Sequence, residues 1–429
     1  MTQPSIRQAF ASVILALALT ASAFAQGPAV AAPESVGMSG ARLQRLSSAM
    51  KRAVAEEKVA GVVTLVARKG KIVHYETFGQ LDREKHVPMP KDAIFRIASM
   101  SKAITTVAAM MLVEEGKLLL DDPVSKFIPA FKKTTVMAPA TTSGPEVASL
   151  PARREITIRD LMTHTAGISY GSGALEAQYK AANVYMWYFA DKDESIATTI
   201  ERLATLPFTS QPGERYVYGF STDVLGVVVE RASGSSLDEF FRTRIFAPLK
   251  MVDSSFYLPA EKSSRFATVY STGPGGLTRA PKEGTGQGDY VTGPRKSFSG
   301  GAGVLSTAAD YARFLQMLLN GGELDGVRLL GPKSVQLMTS NHVGNLYQDG
   351  RFGFGLGFEI VEHVGRSGRP GSVGEFGWGG AYYTKFWVDP VEKLVAVFMT
   401  QLLPSGGPAL QDQFRVLVNQ AIVTSDVKH

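Results

Sequence analysis

Apolar positions recur at helical spacing between Gly40 and Glu57, where Leu43, Leu46, Met50 and Val54 mark one face of an amphipathic helix. Two strand-like runs follow, Gly61–Arg68 and Lys71–Phe78, parted by Lys69-Gly70, a short hairpin signal. Near the other end, Ala381–Val388 and Leu394–Thr400 predict a second hairpin around Asp389-Pro390. A last amphipathic helix is expected over about Ala409–Val423. The two ends of the chain therefore read as parts of one sheet with flanking helices.

The middle has another pattern. Ser101–Glu115, Thr157–His164, Ser195–Leu206, Ser221–Ala232 and Leu237–Arg244 all favour helix, and connectors rich in Pro, Gly and Ser interrupt them at about 137–152 and 272–297. The simplest layout is an α/β (α+β) domain formed by residues 26–104 and 296–429, with a mainly helical subdomain of residues 105–295 inserted into it. No internal repeat at a fixed period is present.

Residues 1–25 stand apart. One charge, Arg7, precedes an apolar stretch from Ala9 to Leu19, and Ala23-Phe24-Ala25 supplies the small-residue exit that signal peptidase reads. The stretch is shorter than the ~20 apolar residues a bilayer span needs. The expectation is an exported protein, periplasmic or secreted, with no stable membrane anchor.

Composition narrows the chemistry. The 429 residues include no cysteine, which excludes disulfides, thiolate metal sites, iron–sulfur clusters and a Cys nucleophile. The six His fall in no ligand-like pairing, so no metal and no cofactor are expected. The net charge of +6 comes from 45 basic and 39 acidic residues spread along the chain. No Lys/Arg run suggests a nucleic-acid partner. The charge therefore bears on solubility rather than on function.

The nucleophile candidates come from Ser-x-x-Lys, which places a hydroxyl and an amine on one helix face. Such an amine takes the hydroxyl proton only when neutral, which requires a desolvated or electropositive setting. Three copies occur. Ser48-Ala49-Met50-Lys51 falls on the exposed stripe of the first helix, and Ser425-Asp426-Val427-Lys428 in a polar tail. Ser99-Met100-Ser101-Lys102 differs, because an apolar-aromatic stretch leads into it and a strongly helical apolar segment, Ala103 to Val113, follows. That puts Ser99 at a helix N-terminus, where free N–H groups and the dipole favour an oxyanion. The plainer alternative makes Ser99 only a helix cap.

A further decoy is Gly167-Ile168-Ser169-Tyr170-Gly171, which fits the Gly-x-Ser-x-Gly nucleophile elbow. That elbow needs a strand before the serine and a helix after it. Here a helical stretch precedes and a Gly-rich loop follows, so Ser169 is set aside.

Ser99-Met100-Ser101-Lys102, Tyr218-Gly219-Phe220 and Trp378-Gly379-Gly380 occur in order at suitable spacing. With Asp160–Gly167, Pro212-Gly213, Asp223–Gly226, Gly300–Gly303 and Phe386–Pro390, they give a chain that resembles the serine β-lactamase-fold hydrolases, specifically the family VIII carboxylesterases of the class C β-lactamase and DD-peptidase-like group. The resemblance spans about residues 34 to 402. It implies a β-lactamase/transpeptidase-like fold, an antiparallel sheet flanked by helices plus an all-helical subdomain. It also implies Ser99 as acylated nucleophile and Lys102 with Tyr218 as the base pair. The implied oxyanion hole is the backbone N–H of Ser99 and of Ala381.

Departures from the lactamase pattern bear on substrate. Lactamases and penicillin-binding proteins show Lys-Thr-Gly at the third motif; here Trp378 offers an apolar wall and no fixed charge. The second motif usually ends in Asn, whereas Phe220 cannot hydrogen-bond. With Trp378, Gly379, Gly380 and Phe220 as substrate-binding residues, the resemblance implies hydrolysis of uncharged short- to medium-chain esters through an acyl-enzyme. The alternatives are a β-lactamase or D-Ala peptidase of the same fold, and a non-catalytic protein that binds cell-wall fragments.

His164 follows the Asp160–Thr163 segment and tempts a Ser-His-Asp triad; since the family uses Lys and Tyr, it reads as a buried hydrogen-bonding residue. The aromatic group Tyr179, Tyr185, Trp187, Tyr188 and Phe189 fits an acyl-pocket wall and a helical core equally well. Tyr218 alone would pass for a core tyrosine, and Glu214 and Asp223 near it have no assigned role.

Overall fold

The computed structural model describes residues 28–138, 148–273, 275–404 and 409–425. Residues 1–25, on which the export expectation rests, and most of the 137–152 connector lie outside the described residues.

Eight antiparallel strands form the main sheet: β1 (Gly61–Arg68), β2 (Lys71–Asp82), β3 (Val87–Pro88), β4 (Gly353–Phe354), β5 (Glu359–Ile360), β6 (Phe376–Gly380), β7 (Thr384–Asp389) and β8 (Leu394–Met399), in the spatial order β4-β5-β6-β7-β8-β1-β2-β3. The N-terminal hairpin is thus stitched to the C-terminal one by β1 against β8, from Val63 opposite Met399 to Arg68 opposite Leu394. All eight β1 residues are buried, because helices cover both faces of the sheet. Alternation survives in what each residue touches. Val62 and Val66 join the cluster of α1 (Gly40–Ala55), while Val63, Leu65 and Ala67 face the larger core on the other side.

The C-terminal helix, Leu410–Asn419, packs beside α1 with Leu410, Phe414 and Val418 at four-residue steps. Each such fully buried side chain contributes about 1.5–3 kcal/mol. On the opposite face lies a helix absent from the sequence expectation, Ala308–Leu319, against β1 and β8.

The helix α2 (Ser101–Glu114) is buried on every side from Ser101 to Leu112, including Lys102. An all-round apolar helix belongs in the interior. It packs against the helix Ser221–Ser233, here α3, whose N-cap is Phe220. Ser99 stands two residues before α2 and Tyr218 three before α3, so the packing of two helices brings two distant sequence motifs together.

Register matters at β6. Its pairing with β5 covers Phe376 and Gly377 only, so Trp378, Gly379 and Gly380 extend past β5 with their outer edge unpaired by any strand among the described residues. On the inner side they pair with Phe386, Lys385 and Thr384 of β7. The expected strand from Ala381 begins at Thr384 instead, and Ala381 is the first residue of the β6–β7 turn.

Candidate active site

Ser99 lies in a single 3₁₀ turn, Ala98–Met100, that runs into α2. Its hydroxyl does not cap that helix: the N-cap is Met100, with no side-chain cap bond. Ala98, just before it, is held at φ 41°, a left-handed conformation costly for a residue with a Cβ.

Lys102 Nζ donates to Ser99 Oγ at 3.3 Å, to the Gly301 carbonyl at 2.8 Å and to the Tyr170 hydroxyl at 3.0 Å. It also lies 4.7 Å from the centre of the Tyr218 ring. The ammonium therefore meets one tyrosine through its oxygen and the other through its face. Burial alone would depress the pKa of Lys102, but Tyr170, Tyr218 and Asp223 outweigh it and the net shift is upward. That upward direction disfavours the neutral amine which a lysine base would need, and leaves Tyr218 as the other base that the resemblance offers.

Tyr218 stands on the loop before α3, and its oxygen accepts from Trp378 Nε1 at 3.3 Å. The loop reaches its place because residue 219 is glycine: a Cβ there would stand 2.3 Å from the Ile168 carbonyl oxygen. That close approach sets Tyr218 beside the segment carrying Tyr170, their rings 5.8 Å apart and nearly perpendicular. Burial pushes the Tyr170 phenol upward while the Lys102 charge pulls it back.

Among the described residues, neither the Ser99 nor the Ala381 N–H is taken by a backbone or side-chain acceptor. The two donors are brought together at Gly380, where a Cβ would stand 2.3 Å from the Ile97 carbonyl oxygen. Only a residue without a side chain lets β6 come this close to the Ser99 turn.

Asp223 acquires a role the sequence reading did not supply. Buried in the first turn of α3, its Oδ1 accepts from Ser299 Oγ at 2.5 Å and from the Gly301 N–H at 3.0 Å. The same Gly301 carbonyl receives Lys102, so the carboxyl fixes the turn that orients the lysine. Burial pushes the pKa of Asp223 up and the Lys102 charge pulls it back.

A cavity of about 570 Å³ opens onto Ser99. Tyr170, Tyr218, Trp378 and Ala381 line it, as do Met186, Trp187 and Tyr347. Gly379 and Gly380 line it as expected, but Phe220 does not. As the N-cap of α3, Phe220 turns its ring into the core, 4.9 Å from Tyr170, which it supports from behind. The aromatic group divides: Trp187 reaches the cavity, whereas Tyr179 and Phe189 pack on Phe220 in the core. Two charged residues that the sequence reading missed, Glu359 and Lys385, also line the wall.

The decoys separate cleanly. Ser169 Oγ accepts from the Gly171 N–H at 3.2 Å in a loop, with no strand before it. Ser48 is exposed on α1, and Lys428 lies outside the described residues. His164 is buried, but its side chain packs rather than bonds: its ring lies 4.8 Å from Tyr218, and Nδ1 has no hydrogen-bond partner. Burial, with the Lys102 charge adding, pushes its pKa well down, so it is neutral.

A serine next to a buried lysine, two tyrosines and two N–H groups is an arrangement able to support nucleophilic acyl transfer. Comparison with known proteins gives the family. The Beta-lactamase family profile matches residues 46–420. The chain is 38% identical over 362 residues to Protein Rv1367c of Mycobacterium tuberculosis, covering 81% of this chain and 86% of that one. It is 31% identical over 390 residues to Esterase EstB of Burkholderia gladioli, covering 86% and 94%. Among solved structures, EstCE1, described as a hydrolase with promiscuous acyltransferase activity, superposes with a TM-score of 0.76 at 27% identity, over 88% of this chain and 98% of that one. The chain belongs to the beta-lactamase family and is a serine hydrolase of that fold.

Proposed function

We propose that the protein is a serine carboxylesterase working through an acyl-enzyme, with Ser99 as nucleophile. The observation that carries this reading is the Lys102 bond to Ser99 Oγ beside two unused N–H donors. The relative named Esterase EstB supports the same reaction class.

In this scheme the Ser99 proton passes to Tyr218 as Oγ bonds to the ester carbonyl carbon. Lys102, held cationic, favours the phenolate that accepts the proton. The carbonyl oxygen becomes an oxyanion between the Ser99 and Ala381 N–H groups, where each donor is worth roughly 10²–10³ in rate. Collapse breaks the bond to the alcohol oxygen, which takes the proton from Tyr218. Water then repeats the sequence on the acyl-enzyme and frees the acid.

The aromatic lining and the uncharged Trp378 favour short- to medium-chain acyl groups over a β-lactam or peptidyl-D-alanine. Export to the periplasm or medium belongs to the same proposal and rests on the residue 1–25 pattern alone. Intact-mass spectrometry after mixing with p-nitrophenyl butyrate tests the mechanism. A butyryl adduct on the wild type and none on Ser99→Ala is expected; an adduct surviving in Ser99→Ala overturns it. Tighter labelling by a penicillin than by esters would favour the lactamase reading, and no adduct with any ester, β-lactam or fluorophosphonate a non-catalytic binder.

A further inference from the structure

The charge missing at position 378 re-enters the cavity from the neighbouring strand. Lys385 of β7 pairs with Gly379 of β6, and the two share a face of the sheet. A Cβ on Gly379 would stand 3.4 Å from Lys385 Cδ, so the lysine chain lies across the glycine. Lys385 lines the same cavity as Ser99 and Trp378.

The neighbouring charges are already spent. Glu359, on the same wall, accepts from Arg369 at 3.0 Å and from the Tyr347 hydroxyl at 2.8 Å. Glu375 is paired with Arg415. Among the described residues the Lys385 side chain forms no ion pair and no hydrogen bond. Counting Glu359, Arg369 and Lys385 together, the wall carries one surplus positive charge.

We propose that Lys385 recognises an anionic group on the substrate, so that the esters turned over best carry a carboxylate away from the scissile bond. This rests on the esterase reading above and replaces its neutral-substrate expectation with an amphiphilic one. The apolar segment lies on Trp378 and the other rings, and the carboxylate meets the lysine. Burial, with Arg415 and Arg369 adding and Glu359 opposing, pulls the proton affinity of Lys385 down. A bound carboxylate would restore it, which is the behaviour of a site built to be completed by an anion.

The test compares mono-p-nitrophenyl esters of adipate, pimelate and suberate with the uncharged hexanoate, heptanoate and octanoate, on wild type, Lys385→Met and Lys385→Arg. The wild type is expected to favour at least one anionic ester over its neutral counterpart by tenfold or more in kcat/KM. Lys385→Met should erase that preference, lowering kcat/KM on the anionic esters at least tenfold more than on the neutral ones, and Lys385→Arg should retain it. Preference for the neutral ester at every length, or an equal loss on both series in Lys385→Met, overturns the proposal. If the wild type turns over neither series, the esterase reading falls and takes this proposal with it. Neutral-ester turnover in each variant reports that the protein is folded.

Discussion

Lys102 hydrogen-bonds Tyr170, 68 residues away, at 3.0 Å, and meets Tyr218 through its ring face at 4.7 Å. The two phenols therefore divide the work around one ammonium. Tyr170 anchors the cation by its oxygen, and Tyr218 keeps its oxygen turned to Trp378 and the cavity.

That division predicts unequal losses. Tyr218→Phe removes the proposed proton carrier and should cost ~10³-fold in kcat, within the range of general-base loss. Tyr170→Phe removes one of three acceptors of Lys102 and should cost ~10–50-fold in kcat with KM nearly unchanged. Steady-state kinetics on p-nitrophenyl butyrate decide it. Equal losses in the two variants would mean that the tyrosines are interchangeable carriers.

Asp223 offers a way to ask which protonation state of Lys102 is used. Its charge is one of the contributions that hold the pKa of Lys102 up. Asp223→Asn preserves an acceptor for Ser299 and Gly301 and removes the charge, so Lys102 should lose its proton at lower pH. If the ammonium is the working form, the alkaline limb of the kcat profile moves to lower pH in the variant. A rise in kcat at neutral pH would instead assign the base role to neutral lysine.

The parts of this site that were legible in the sequence are those set by local spacing. Ser99 and Lys102 share a helix face three residues apart, and Tyr218 is marked by the motif that opens the next helix. Tyr170 was hidden because its place depends on two loops meeting over Gly219, and it sat inside a misleading Gly-x-Ser-x-Gly pattern. Lys385 was hidden because its meaning depends on strand register: shifted by one residue, it would face the opposite side of the sheet. Phe220 was legible as a position but not as a direction, since its ring is turned by the start of a helix. The helix Ala308–Leu319 is a different case: Tyr311, Phe314, Leu315 and Leu318 carry a plain helical period after the Thr307 cap, which the sequence expectation passed over.

Gly380 tests the oxyanion hole without touching a reacting group. A Cβ there would collide with the Ile97 carbonyl and with Thr384 Oγ1, each at 2.3 Å. Gly380→Ala should push the Ala381 N–H away from the Ser99 turn and lower kcat ~100-fold or more, the scale of one lost donor. Acylation rate in stopped flow should fall while substrate KM stays within about threefold. Unchanged acylation would show that the Ala381 N–H is not the donor.

Two buried histidines are expected to make the fold sensitive to acid. His74 is hydrogen-bonded to Thr64 Oγ1 at 2.8 Å, and burial, with the Lys91 charge adding and Glu76 opposing, pulls its pKa down to about 4. His164, against the Tyr218 ring, is pushed down in the same direction. An unfolded histidine binds its proton near 6.5, so below that pH the unfolded chain takes up protons that the folded chain refuses. Stability is therefore fully present above about pH 6.5 and lost as pH falls toward 4. His74 alone should account for roughly 2–3 kcal/mol of that loss by pH 4.5. Urea unfolding at pH 7.5 and 4.5 measures it, and His74→Gln should narrow the difference between the two by about that amount. A difference as large in the variant as in the wild type would place the acid sensitivity elsewhere.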